Sequence, residues 1–304
     1  MSLDAILQKV LEVVPFQLTT DGGPLQARKR FGELPRPSVH PEVIAQDHRI
    51  DGPDGPIALR LYRPPSPKSV LPVVVFIHGG GWSVGDLDSY DGPARMHAVG
   101  AEAVVVSIDY RLAPEHPYPA AVDDVWAATE WVARNAGQIG ADPGRVAVAG
   151  DSAGGNLAAV VAQLARDAGM PVRFQLLWYP STTFDTSLPS FTANADAPIL
   201  TLEACKGFGR WYVGDTDLSA PPAALVPARG DLSGLPAAYI AVAGHDPLRD
   251  DGAKYAELLT EAGVPVELHN AESLVHGYLG YAGVVPAATE ATGRGLRALR
   301  AALT

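Results

Sequence analysis

The 304-residue chain contains a single cysteine, Cys205, so no disulfide can form within it and nothing points to an oxidising compartment. Nothing in "TLEACKGFGRW" offers that thiol a base, and it reads as a small apolar filler. No eighteen apolar residues run together, so no segment reads as a membrane span. The opening "MSLDAILQKVLEVVPFQL" has no basic flank and sets Asp4, Lys9 and Glu12 among its apolar residues, unlike a secretory leader; a cytoplasmic location is expected. Basic residues are scarce, 23 against 34 acidic, and the net charge of −11 argues against a nucleic-acid partner. There is no HExxH and the eight histidines are scattered, so neither a metal nor another cofactor is expected.

What is present is a generous core. An apolar fraction of 47% with 19% charged residues describes a globular chain, of a length that suits one large α/β domain or two smaller ones. Leu3, Ile6, Leu7, Val10 and Val14 recur at helical spacing and predict an amphipathic helix over residues 3–14 packed on the body of the protein. Residues 19–41, rich in Gly, Pro and charge, read as a connecting loop or lid. From about residue 42 strands alternate with helices. "LPVVVFIHGG" and "AVVVSIDYR" are continuous apolar runs of the kind buried on both faces of a sheet, and "PAAVDDVWAATEWVARN" and residues 153–167 are helical. Further strands are expected at "RFQLLWYP", "AAYIAVAG" and "PVELHNA", with helices near 201–213, at "DDGAKYAELLTEAG" and near 286–302. Repeated βα units imply a mostly parallel sheet with helices on both faces, whose binding crevice lies at the carboxyl ends of its strands.

Four of those strand ends carry chemistry. "RVAVAGDSAGG" places Gly-x-Ser-x-Gly between a strand and a helix, the nucleophile elbow in which glycines two residues either side of Ser152 permit a strained turn. The competing reading is a helix N-terminus capped by Asp151 or Ser152. A serine hydroxyl needs a base oriented by a third group. Asp246 ends the strand "AAYIAVAG" and His276 follows thirty residues later in "ESLVHGY", which leaves room for one helix and one strand. Asp250 and Asp251 are rivals to Asp246 but begin the next helix, where carboxylates favour the N-terminus anyway. His40, His48 and His97 lack the strand context and read as solvated surface residues; His269 and His245 are weaker alternatives to His276. "FIHGGGW" ends another strand with three glycines whose N–H groups can face a developing oxyanion, and Ala153 adds its own at a helix N-terminus; His78 reads as a support for that loop.

Taken in order, "HGGGW", "DYRLAPEHPYPAAVDD", "GDSAGGN", "DPLRDDG" and "HGY" resemble the hormone-sensitive-lipase-like carboxylesterases of the α/β-hydrolase superfamily, from about residue 55 to 285. The resemblance implies an α/β-hydrolase fold with Ser152, Asp246 and His276 as catalytic residues and Gly79, Gly80 and Ala153 at the oxyanion positions, Gly81 shaping the turn. Glu115 then anchors a supporting segment, and Tyr278 stands where Phe is frequent. Residues 1–41 and 181–215 are expected to form a helical cap, and residues 42–180 and 216–304 the catalytic domain. The expected activity is hydrolysis of small-molecule esters of short to medium chain through an acyl-enzyme. An amidase or deacetylase on the same machinery, and a silent ligand receptor on the same fold, are the alternatives; whether the chain forms homo-oligomers stays open.

Overall fold

The computed structural model describes residues 2–304; the first residue of the expected 1–41 segment lies outside them. The apolar runs become one eight-stranded sheet of β1 (Ile44–Gly52), β2 (Gly55–Arg63), β3 (Leu71–Ile77), β4 (Val104–Asp109), β5 (Ala141–Asp151), β6 (Val172–Trp178), β7 (Ala237–His245) and β8 (Val266–Val275), in the spatial order β1-β2-β4-β3-β5-β6-β7-β8. β1 and β2 pair antiparallel, as do β2 and β4; β4, β3 and β5 to β8 run parallel. The chain steps from β3 outward to β4 and then returns to the other side of β3 as β5. The strand order therefore reverses next to the ends of β3 and β5, where an open α/β sheet forms its crevice.

Strand alternation divides the core. Val73, Val75 and Ile77 of β3 join Val104, Val106 and Ile108 of β4 on one face, under α4 (Ala120–Asn135), α5 (Ala153–Asp167) and α8 (Arg249–Glu261). Val74 and Phe76 face the other way with Val105 and Trp178, under α3 (Asp91–Ala101) and α9 (Pro286–Leu303). All seven β3 residues are buried, and each such Val or Ile contributes about 1.5–3 kcal/mol.

Helix α1 (Ala5–Val13) sits within the expected 3–14, and Asp4 caps it by accepting the N–H groups of Ile6 and Leu7, both at 2.9 Å. Its Leu7 is fully buried on the α3/α9 face. The expected loop over 19–41 is instead interrupted by helix α2 (Gly23–Gly32). Pro24 lies in its first turn, where a missing N–H costs nothing. Only Ala27 of α2 is buried, so the helix carries no apolar stripe; Arg28 fastens it instead, donating to the carbonyls of Ser83 and Ala113 and to both Glu115 oxygens.

Two further helices, α6 (Pro189–Ala193) and α7 (Leu202–Val213), fill the interval after β6. They meet the N-terminal segment directly. Gln17 bridges to Ile199, the Leu18 N–H donates to the Ile199 carbonyl at 2.7 Å, and Ala27 shares a small apolar cluster with Phe191, Leu200, Ala204 and Phe208. No helix among the described residues is long and apolar enough to cross a membrane.

Candidate active site

The turn between β5 and α5 is as tight as its composition implies. Ser152 has φ +55°, a conformation a non-glycine residue adopts at a cost of about 1–3 kcal/mol. A side chain at Gly150 would run into the Gly154 carbonyl, and one at Gly154 into the carbonyl of Ile77. The Ser152 N–H donates to the Trp178 carbonyl at 2.8 Å, which ties the elbow to the end of β6. Neither capping reading applies. The Ser152 side chain makes no bond to the first turn of α5, and Asp151 instead accepts the Gly79 N–H in the loop beyond β3.

The Ser152 hydroxyl instead lies 2.9 Å from His276 Nε2, and His276 Nδ1 lies 2.7 Å from Asp246 Oδ2. A carboxylate only accepts, so Nδ1 carries the proton and Nε2 presents a lone pair to the hydroxyl. β7 and β8 are neighbours in the sheet, and this brings the acid and the imidazole together across thirty residues. Both are buried, Asp246 completely, while Ser152 remains 9% exposed. Asp246 Oδ1 accepts the Leu248 N–H at 2.8 Å, and Asn194 donates to the Asp246 carbonyl at 2.9 Å and to that of Gly244 at 3.1 Å. Asn194 follows α6 and carried no motif, so the sequence offered no signal for it. The Tyr179 ring packs 4.8 Å from the imidazole.

The rival acids lie elsewhere. Asp250 pairs with Arg249 and accepts the Ser190 N–H, and Asp251 is taken up by Thr182 and Thr183. Among the other histidines, His48 is exposed and His40 pairs with Glu42 at 3.0 Å. His97 is not the surface residue expected: it is wholly buried between Pro93 and Trp178. His78 is fully buried, stacked on Tyr110 with ring centroids 4.3 Å apart, and burial lowers its pKa to about 4. It is therefore neutral and, through Nδ1, bonds the Gly79 carbonyl at 2.8 Å. Tyr110 donates to the His78 carbonyl at 2.9 Å.

The three glycines differ. The Gly79 N–H already donates to Asp151 Oδ1 at 2.8 Å, so Gly79 is not free to serve an oxyanion, contrary to expectation. Among the described residues the N–H groups of Gly80, Gly81 and Ala153 have no protein partner. Gly80 has φ +100° and would press any Cβ against the Val84 carbonyl; a Cβ at Gly81, φ +58°, would strike the Phe208 side chain. Asp151, missed as anything but a cap, is 5% exposed and also accepts from the Tyr90 hydroxyl at 3.2 Å; burial pushes its pKa up to about 6.

Above Ser152 opens a cavity of about 560 Å³, walled by Val10, Phe16, Leu18, Phe31, Met96 and Ile199. The N-terminal segment thus forms much of its roof. The aromatics of 181–215 do not: Phe184 and Phe191 line a different cavity, and Phe208 packs with Ala27 and Leu248. Cys205 sits on α7, where burial raises its thiol pKa well above the ordinary value.

A family model described as the alpha/beta hydrolase fold matches residues 74–280. Among curated proteins, the esterase LipI of Mycobacterium tuberculosis is 62% identical over 99% of this chain and 96% of its own. The carboxylesterase NlhH of the same organism is 57% identical, again over 99% and 96%. The hyperthermophilic esterase from the archaeon Pyrobaculum calidifontis, a solved structure, superposes with a TM-score of 0.89 at 37% identity, covering 99% of both chains.

Proposed function

The chain belongs to the hormone-sensitive-lipase-like esterases of the α/β-hydrolase fold and is a carboxylic ester hydrolase, and from that premise we propose that Ser152, His276 and Asp246 hydrolyse short- to medium-chain esters through an acyl-enzyme. The observation that carries this reading is the unbroken run from Ser152 Oγ to His276 Nε2 at 2.9 Å and from Nδ1 to Asp246 at 2.7 Å.

In the first half-reaction the Ser152 oxygen bonds to the ester carbonyl carbon while its proton passes to His276 Nε2. The carbonyl oxygen takes the negative charge and is received by the N–H groups of Gly80 and Ala153, with Gly81 beside them. Asp246, which only accepts, steadies the imidazolium. The tetrahedral adduct collapses, the bond to the alcohol oxygen breaks, and His276 returns the proton to that oxygen. Water then repeats the sequence on the acyl-enzyme, with His276 taking its proton, and releases the acid and Ser152. Behind this chemistry Asp151 holds the Gly79 N–H through Oδ1 while the Tyr90 hydroxyl donates to its Oδ2, which sets the angle at which Gly80 presents its own N–H.

The substrate class follows from the cavity. Its volume falls within the ~300–1,000 Å³ of small-molecule sites, and its apolar wall rewards each buried methylene by about 0.8 kcal/mol until the space is full. Among the described residues we assign 2–41 and 181–215 to a cap and 42–180 and 216–304 to the catalytic body, since the two cap segments join through Gln17–Ile199 and the cluster of Ala27 with Phe191 and Phe208. Rapid-mixing hydrolysis of 4-nitrophenyl esters of increasing acyl length tests the reading. A nitrophenol burst equal to the enzyme concentration and a kcat/KM peak at a medium chain are expected. Highest turnover on emulsified long-chain triglycerides, with a jump above the solubility limit, would overturn it.

A further inference from the structure

After α2 the chain runs Leu34-Pro35-Arg36-Pro37, and this strap lines the cavity above Ser152 together with Phe31 of α2. The body of the protein lends Ser89, Tyr90, Pro93 and Met96 to the same cavity. The two prolines leave the strap without N–H groups at 35 and 37, and each biases the residue before it toward extended backbone. Among the described residues, no main-chain group of 35–39 bonds to another main-chain group. The fastening falls to one side chain.

The Arg36 guanidinium makes four hydrogen bonds, all to main-chain carbonyls. Nη2 donates to Phe31 at 2.6 Å, Nη1 to Gly32 at 3.1 Å and to Leu34 at 2.9 Å, and Nε to Ser89 at 3.0 Å. The carbonyls of Phe31 and Gly32 end α2, where unpaired acceptors favour a cation. The bond to Ser89 crosses from cap to body. Among the described residues it is the only hydrogen bond that ties 35–39 to the body. The guanidinium also lies over the Phe31 ring, 5.1 Å from its centroid, and that ring stacks on Tyr90 at 6.1 Å. One side chain thus grips two elements that wall the same cavity.

We propose that Arg36 is a positioning residue that sets the depth of the acyl cavity by clamping Phe31 and the strap to the Ser89–Tyr90 turn, and so fixes the longest acyl chain the enzyme accepts. The proposal rests on the reading that the acyl arm enters the cavity above Ser152. No hydrogen bond of Arg36 reaches Ser152 or His276, so its effect falls on which chains fit. Arginine suits the task because its planar fork serves carbonyls on both sides at once, whereas a lysine ammonium gathers its donors at one point.

The test measures kcat/KM for 4-nitrophenyl esters from acetate to dodecanoate, below their solubility limits, with wild type, Arg36→Met and Arg36→Lys. Methionine keeps an unbranched stem and loses every donor. In Arg36→Met the dodecanoate-to-hexanoate ratio should rise by about fourfold for each methylene readmitted, with the gain in the KM of the long ester. Arg36→Lys keeps a cation at the end of α2 without the whole fork, so the ratio should rise less. A merely structural arginine would lower Tm and slow all esters in proportion, leaving the ratio fixed. An unchanged or lowered ratio in either variant that folds overturns the proposal; should Arg36→Met fail to fold, Arg36→Lys decides alone. The two readings fail differently. A wild-type profile without a medium-chain peak removes the acyl-cavity reading and the proposal with it, whereas a peak that both variants retain removes only the role of Arg36.

Discussion

His97 makes the stability of this protein depend on pH in a way that can be worked from its two neighbours. Nδ1 lies 2.7 Å from the Pro93 carbonyl, which only accepts, and Nε2 lies 3.0 Å from the Trp178 indole N–H, which only donates. The imidazole is thereby locked as the neutral Nδ1–H tautomer, and protonation would set one N–H against another. Burial accordingly lowers its pKa from 6.5 to about 4. Because the folded value is depressed, the stabilisation is fully present above the unfolded pKa near 6.5 and is lost as pH falls toward 4. The loss across that window is ~3 kcal/mol. His97→Gln can supply an amide donor to Pro93 and an acceptor to Trp178 without titrating. It gives up packing against Phe76, whose ring centroid lies 4.7 Å away, but that penalty is constant with pH. In urea unfolding the advantage of wild type over His97→Gln should shrink by ~3 kcal/mol between pH 7 and pH 4. His78 titrates in the same range in both proteins and cancels. Parallel curves would refute the locked-tautomer account.

Two further outcomes follow from the walls of the site. Gly80→Ala brings a Cβ against the Val84 carbonyl at φ +100°, and the displaced N–H should cost roughly 10²–10³-fold in kcat while the far-UV circular dichroism is kept; a well-folded variant with unaltered turnover would remove Gly80 from the oxyanion role. Val10→Trp fills part of the cavity above Ser152, so the acyl-length optimum should move to shorter chains, with about fourfold in kcat/KM forfeited per excluded methylene; an unmoved optimum would show that the acyl arm lies elsewhere.

Legibility varied with how local the physics was. The strands β3 and β4 were plain because seven and five of their residues are buried and nine of those twelve are Val, Ile or Phe. The bounds of α5 coincide with the expected 153–167, since glycines mark its start and small apolar residues run on to Asp167. Ser152, Asp246 and His276 stood out because each terminates a strand. Helix α2 escaped because a single alanine is buried and an arginine does the fastening. Helix α3 begins Asp-Gly-Pro and buries chiefly alanines, which leaves little periodicity to read, and the edge strand β1 exposes all but a few of its residues. The burial of His97 depends on Trp178, 81 residues away. The commitment of the Gly79 N–H to Asp151 joins residues 72 apart, and no local pattern announces it. Orphan atoms such as Asp251 Oδ2 appear only once every neighbour has been placed.

The central claim is that Ser152 is the covalent nucleophile, and mass spectrometry after treatment with an organophosphonate tests it most directly. One adduct per chain is expected, on the peptide that carries Ser152, with loss of ester hydrolysis in step with labelling and no adduct on Ser152→Ala. An adduct on another residue, or turnover unchanged in Ser152→Ala, would contradict the account.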